Sequence, residues 1–149
     1  MVQDKIEREI SIAAPVERVW EVVTEPEHLS TWFGSDTGKP VEVDHLRPGG
    51  GMVVDHGEFG VFPLKIETFD PPKLFAYRWA SGFPGAEVTD ANSTLVEFIL
   101  RSEDGGTLLR IVETGFTALP AEVAELKYEE NGGGWTGMAE RVKEYTEGL

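Results

Sequence analysis

Residues 131–149 read NGGGWTGMAERVKEYTEGL, and the architecture of the chain is organised around them. Trp135, Met138, Ala139, Val142 and Tyr145 follow one another at steps of three, one, three and three, which puts them on a single stripe of an α-helix. Glu140, Arg141, Lys143, Glu144 and Glu147 face away. About seventeen residues give roughly 22–25 Å of helix, enough to cross the face of a small sheet. An amphipathic helix of that length needs an apolar partner.

The partner lies upstream. From Gly38 onward the pattern runs at period two for about eighty residues, punctuated by turn chemistry. Segments 41–46 and 52–56 flank Arg47-Pro48-Gly49-Gly50-Gly51, a cluster suited to a hairpin connection. Segment 61–69 is a further strand, stopped by Asp70-Pro71-Pro72, and 74–79 alternates again with Phe75, Tyr77 and Trp79 on one face. Residues 80–92, with Gly82, Pro84 and Gly85, form the longest irregular stretch and are a candidate mobile rim. Segments 95–102 and 107–116 make the clearest hairpin, joined by Glu103-Asp104-Gly105-Gly106. Val96, Phe98 and Leu100 share one face of it, with Leu109 and Ile111 on the partner strand.

Before the sheet, residues 5–13 alternate Ile6, Ile10 and Ile12 with polar positions, as a half-buried strand does. Pro15 suits a first helical residue and is followed by Val16, Val19, Trp20, Val22 and Val23 at helical spacing. Glu25-Pro26-Glu27 starts a second short helix with Leu29, Trp32 and Phe33 on its apolar edge, ended by Gly34. After the sheet, residues 121–130 are helical, with Val123, Leu126 and Lys127 spaced for one face. Gly132, Gly133 and Gly134 each weaken helicity by up to about 1 kcal/mol, which predicts a kink or break before Trp135. Strands that run together, with helices gathered to one side, make this an α+β fold. It is a curved antiparallel β-sheet of about six to seven strands wrapped around a long C-terminal α-helix.

At 149 residues the chain fits one domain, spanning 1–149. Its 40% hydrophobic content, with four Trp, eight Phe and three Tyr, excludes a disordered chain. Thirteen basic against 27 acidic residues leave a formal charge of −14, so nucleic acid and anionic membranes are not expected partners. The absence of cysteine excludes a disulfide framework, a thiolate nucleophile and a Cys-ligated zinc site. The N-terminus carries charges where a signal peptide needs an apolar run, so a cytoplasmic location is expected, and Asn92-Ser93-Thr94 reads as a chance sequon.

Ile10-Ser11-Ile12-Ala13-Ala14-Pro15-Val16-Glu17-Arg18-Val19-Trp20 resembles the entry strand and helix of the START-like (SRPBCC) superfamily. Trp32-Phe33, Pro48-Gly49-Gly50-Gly51, Asp70-Pro71-Pro72 with Trp79 after it, Glu113-Thr114-Gly115-Phe116 and Gly134-Trp135 are similar to the branch related to the activator of the heat-shock-protein-ninety ATPase. The resemblance covers nearly the whole chain. It implies a helix-grip fold with a cavity between sheet and C-terminal helix. Across the superfamily such cavities hold lipids, polyketides and other apolar molecules, and members include binding proteins, aromatases, cyclases and a co-chaperone domain.

The sequence puts several residues at such a cavity. Trp32 and Phe33 are candidates for its mouth, and Phe62, Tyr77, Trp79, Phe98, Trp135 and Met138 either line it or fill it. Glu113 shares strand parity with Leu109 and Ile111 and therefore points inward, as an acid–base group, a ligand to a hydroxyl, or a structural partner of a backbone amide, Arg78 or Arg110. His56 is a candidate polar group inside the cavity. The pairs Asp44-His45 and Asp55-His56 fall near one another if the turn centres on Gly50, but neighbours on a strand point to opposite faces, so no metal site is assigned. No cofactor is implied, since the glycine-rich stretches lack a phosphate-loop pattern. The expected function is binding of an apolar ligand, lipid-like or aromatic, by a monomer or homodimer. The alternatives are an enzyme of cyclase, aromatase or hydrolase type using Glu113, His56 and Tyr77, and a co-chaperone-like interaction with a heat-shock ATPase.

Overall fold

The computed structural model describes residues 3–33 and 41–149, so the expected helix stop at Gly34 and the onset of period two at Gly38 lie outside the described residues. The elements run β1 (Lys5–Ile12), α1 (Val16–Thr24), α2 (Pro26–Trp32), β2 (Glu42–Val43), β3 (Gly51–Asp55), β4 (Val61–Asp70), β5 (Leu74–Trp79), β6 (Thr94–Glu103), β7 (Gly106–Thr114) and α3 (Ala121–Glu147). Single 3₁₀ turns sit at Gly57–Phe59 and Phe116–Ala118. All strands pair antiparallel in one seven-stranded sheet of order β1-β7-β6-β5-β4-β3-β2. The sheet curves around α3 as a helix-grip fold.

Strand pleat decides what faces the helix. Leu109, Ile111 and Glu113 of β7, Val96, Phe98 and Leu100 of β6, and Phe75, Tyr77 and Trp79 of β5 are all buried. Register then brings side chains of the same parity together: Trp79 lies opposite Thr94, and Val96 opposite Glu113. The β6–β7 connection is tighter than expected. Glu103 pairs with Gly106, and only Asp104 and Gly105 turn the chain, both at positive φ (49° and 79°), as a two-residue hairpin needs. β2 is two residues long instead of the expected six, because the chain beyond it folds back. Gly49 N–H donates to Ile66 (2.8 Å) and Ile66 N–H to Gly50 (2.9 Å), so the Pro-Gly cluster docks on β4.

Pro15 caps α1 from extended backbone, and Pro26 opens α2 at its first turn. The two helices close one end of the sheet. Trp20 lies against Phe69 and Phe75, and the Trp32 indole donates to the Val22 carbonyl at 2.7 Å.

The expected break at the glycines does not occur. α3 runs unbroken for 27 residues, or about 40 Å at the standard rise, because tertiary packing outweighs the intrinsic cost of glycine. Gly132 is buried against β1, where Arg8 donates to its carbonyl (3.0 Å) and to Thr136 Oγ1 (2.9 Å). At the far end Glu147 accepts from the Ala13 amide (2.8 Å) and Lys143 donates to the Ser11 carbonyl (2.8 Å). Trp135, Ala139 and Val142 are buried as the stripe requires, while Leu126 is exposed. The inward face of the first turns is Ala124, flanked by the partly buried Val123 and Tyr128.

The irregular stretch after β5 is tied down along its length. Gly85 N–H donates to Val61 (2.8 Å), Thr89 and Asn92 bond one another, and Gly82 lies so close to Val123 that a side chain there would strike it.

Candidate functional site

Between α3 and the strands opposite its middle, the structure builds a buried carboxylate and a small cavity on either side of one wall. Glu113 is fully buried. Its Oε2 accepts from Trp79 Nε1 (2.9 Å), Thr94 Oγ1 (2.5 Å) and Asn131 Nδ2 (3.2 Å). Its Oε1 accepts from Trp135 Nε1 (2.8 Å) and Asn131 Nδ2 (3.1 Å). Burial pushes the carboxyl pKa up, while the donors from Thr94, Trp135, Trp79 and Asn131 pull it back. An indole N–H and an amide NH2 can only donate, so the cage is matched to a carboxylate. The expected structural partners Arg78 and Arg110 are engaged elsewhere, with Glu67 (3.3 Å) and Glu7 (2.6 Å). Glu113 thus ties β7 to β5, β6 and α3 at one point.

In front of this wall lies a cavity of about 90 Å³, bounded by Phe33, His56 and Trp79 on one side and by Glu130, Asn131, Gly134, Trp135 and Met138 of α3 on the other. Trp79, Asn131 and Trp135 therefore serve both structures, bordering the cavity and holding Glu113 behind it. Phe33 stacks on Trp135 (centroids 5.9 Å apart, planes at 11°) and meets the His56 ring edge-on (5.3 Å, 90°). His56 also touches Phe62 and Trp79. Its Nε2 is buried with no hydrogen-bond partner, and so is the Tyr77 hydroxyl; both hold among the described residues. Burial lowers the His56 pKa against the pull of Asp55, leaving the ring neutral at pH 7. The same effect, with the Glu113 charge adding to it, holds the Tyr77 phenol well above its ordinary value.

Of the ten residues expected at the cavity, Phe33, His56, Trp79, Trp135 and Met138 line it. Trp32, Phe62, Tyr77, Phe98 and Glu113 stand behind that lining. Neither Trp32 nor Phe33 opens to solvent at a mouth: they are 1% and 2% exposed, and Trp32 packs on Phe33 and Phe98. Its indole bond to Val22 requires that orientation. Sequence reasoning missed Glu130, Asn131 and Gly134, because an expected break before Trp135 separated them from the stripe. A continuous helix places Asn131 one turn before Trp135 on the same face.

His45 and His56 do not converge. Asp44 N–H bonds Gly51 at the start of β3, whereas His56 follows its end and bonds Gly60. A different cluster does form: carboxylate and imidazole atoms of Glu21, Glu25 and His28 lie within 4.8 Å of one another, at a spacing of four and three across the α1–α2 junction. His28 Nδ1 shares a 2.7 Å hydrogen bond with the Tyr145 hydroxyl.

Residues 13–147 match the family described as activator of Hsp90 ATPase homolog 1-like protein. The chain belongs to this family. Among proteins with curated descriptions none matches the sequence. Solved structures similar to this member of the family include DynU16, from the dynemicin biosynthetic locus, with 26% identity and a TM-score of 0.71. That match covers 97% of this chain, which spans about half (48%) of DynU16. CalU16 from Micromonospora echinospora is similar at 23% identity and a TM-score of 0.70, over 95% of this chain and 73% of that one. The Aha1 dimer from Colwellia psychrerythraea shares the fold at 16% identity and a TM-score of 0.72, covering 97% of both chains. No helix of the described residues is long and apolar enough to cross a membrane.

Proposed function

We propose that the protein binds a small apolar molecule in the cavity between the sheet and α3. The observation that carries this reading is the combination of apolar walls, from Phe33, Trp79, Trp135 and Met138, with one buried polar atom that lacks a partner among the described residues, His56 Nε2. Ligand sites are typically mostly apolar with a few placed polar groups, and an unpaired buried polar atom costs stability unless something pairs it. Size discriminates between ligand classes. Drug-sized ligands occupy pockets of roughly 300–1,000 Å³, far more than about 90 Å³, and Phe98, Tyr77 and Phe62 fill the space a long acyl chain would need. A single aromatic ring therefore fits this reading better than a lipid.

Acid–base chemistry by a Glu113–His56 pair is less well supported. Both Glu113 oxygens are taken by donors, and Trp79, Trp135 and Asn131 stand between them and the cavity. We assign Glu113 the role of holding that wall. The test is thermal stability of the whole chain against small aromatics and fatty acids, since a ligand selective for the folded state raises stability by mass action. A rise that grows with the concentration of small aromatics is expected. No rise with any compound would refute the proposal.

A further inference from the structure

The Phe33 ring is surrounded by aromatic neighbours. It lies parallel to Trp135, perpendicular to His56, and within 6.0 Å and 6.4 Å of the Trp79 and Tyr77 ring centroids. Offset stacking on one face with edges presented around the rim is how an aromatic guest is held. Two of these neighbours, His56 and Tyr77, carry the buried polar atoms that lack partners among the described residues. Phe33 supplies the ring and no polar group. A wall with unpaired polar atoms around a purely hydrocarbon plug is complementary to something other than the plug.

We propose that Phe33 is a displaceable plug, and that the molecule replacing it is a neutral, single-ring aromatic bearing a hydroxyl or carbonyl oxygen. The proposal rests on the binding reading above and names its ligand class. Tyr77 stands behind Phe33 while that ring is seated; once it leaves, the oxygen accepts from the uncovered Tyr77 hydroxyl and pairs with His56 Nε2 in whichever tautomer suits it. Charge excludes anionic ligands, because Glu113 lies behind the same wall and the protein carries a formal charge of −14. The space suits one ring: the existing cavity is about 90 Å³, and an apolar cavity of about 150 Å³ is known to hold a benzene ring. Swinging out a phenylalanine side chain supplies the difference.

The test is titration of the full chain with phenol, toluene and benzoate, followed through the indole N–H signals of Trp79 and Trp135. Phenol is expected to bind at least about tenfold more tightly than toluene, because a site built for an oxygen leaves polar groups unpaired without it, and benzoate is expected to bind worst. Phe33→Ala removes the cost of displacement and tightens phenol by about tenfold. Tyr77→Phe removes one of the two bonds to the oxygen and brings phenol part of the way down to the level of toluene. Should Phe33→Ala fail to fold, Phe33→Leu replaces it. In the wild type, phenol must also abolish the cross-peaks between the Phe33 and Trp135 rings.

Equal binding of phenol and toluene, or intact Phe33–Trp135 cross-peaks at saturation, overturns this inference and leaves the binding reading standing. Absence of binding by all three compounds to both wild type and the Phe33 variant overturns both.

Discussion

Replacing Glu113 with glutamine keeps the shape of the side chain and turns one acceptor oxygen into a donor. Each oxygen accepts an indole N–H, Oε2 from Trp79 and Oε1 from Trp135. Whichever way the new amide faces, its NH2 confronts a tryptophan that can only donate. If it takes the Oε1 side, the Trp135 N–H loses its acceptor, which costs about 1–3 kcal/mol for a buried group. The bonds from Trp79 and Thr94 also lose their charge assistance, about 1 kcal/mol each. Relief of the buried charge returns part of this. The net expectation is about 2–4 kcal/mol of lost stability near pH 7, a large fraction of the total for a domain this size. Urea unfolding followed by tryptophan fluorescence and circular dichroism measures it. The pH dependence carries a sign. Because burial raises the folded carboxyl above its ordinary value of 4.5, the folded state binds the proton more tightly. The contribution of Glu113 is therefore greatest below that value and falls as pH rises through the folded pKa. The deficit of Glu113→Gln should narrow over the same window. A loss under about 1 kcal/mol would refute the reasoning from four convergent donors, and a deficit that widens with pH would refute burial as the dominant influence on the carboxyl.

Tyr77→Phe removes a buried hydroxyl that has no partner among the described residues, so the unliganded protein should gain about 1 kcal/mol, read as a higher urea midpoint. Trp135→Ala deletes a ring that stacks on Phe33 and holds Glu113, and should cost at least about 3 kcal/mol in the same assay. A Cβ at Gly133 or Gly137 meets nothing within 4 Å, so alanine at either position should stabilise α3 by up to about 1 kcal/mol, measured as a rise in melting temperature.

The sheet was legible because turn chemistry and period-two alternation agree along it. Asp70-Pro71-Pro72 ends one strand and Asp104-Gly105 turns another, and between them Phe75, Tyr77 and Trp79 declare the buried face. The inward direction of Glu113 followed from parity alone. Its partners did not, because Trp79, Thr94 and Asn131 come from three separate elements whose meeting depends on register and on the seating of α3. The helix was misread where intrinsic propensity and packing conflict: three consecutive glycines argue for a break, yet the Arg8 contact and the buried Gly132 face hold the turns together. That error hid Asn131 and Gly134 from the cavity. The size of the cavity was not legible either, since the same alternation describes a lined pocket and a filled one. Only the placement of Phe33 and Trp32, one bordering the space and the other locked into the core by its indole bond, separates these cases.

The most direct test of a ligand site between sheet and α3 is to follow the wild-type amide and indole N–H signals while phenol is added. Saturable shifts are expected, concentrated at the Trp79 and Trp135 indoles and at the backbone of Phe33, His56, Asn131 and Met138. Shifts that never saturate, or that gather elsewhere, such as the groove between Ser11 and Lys143, would contradict it.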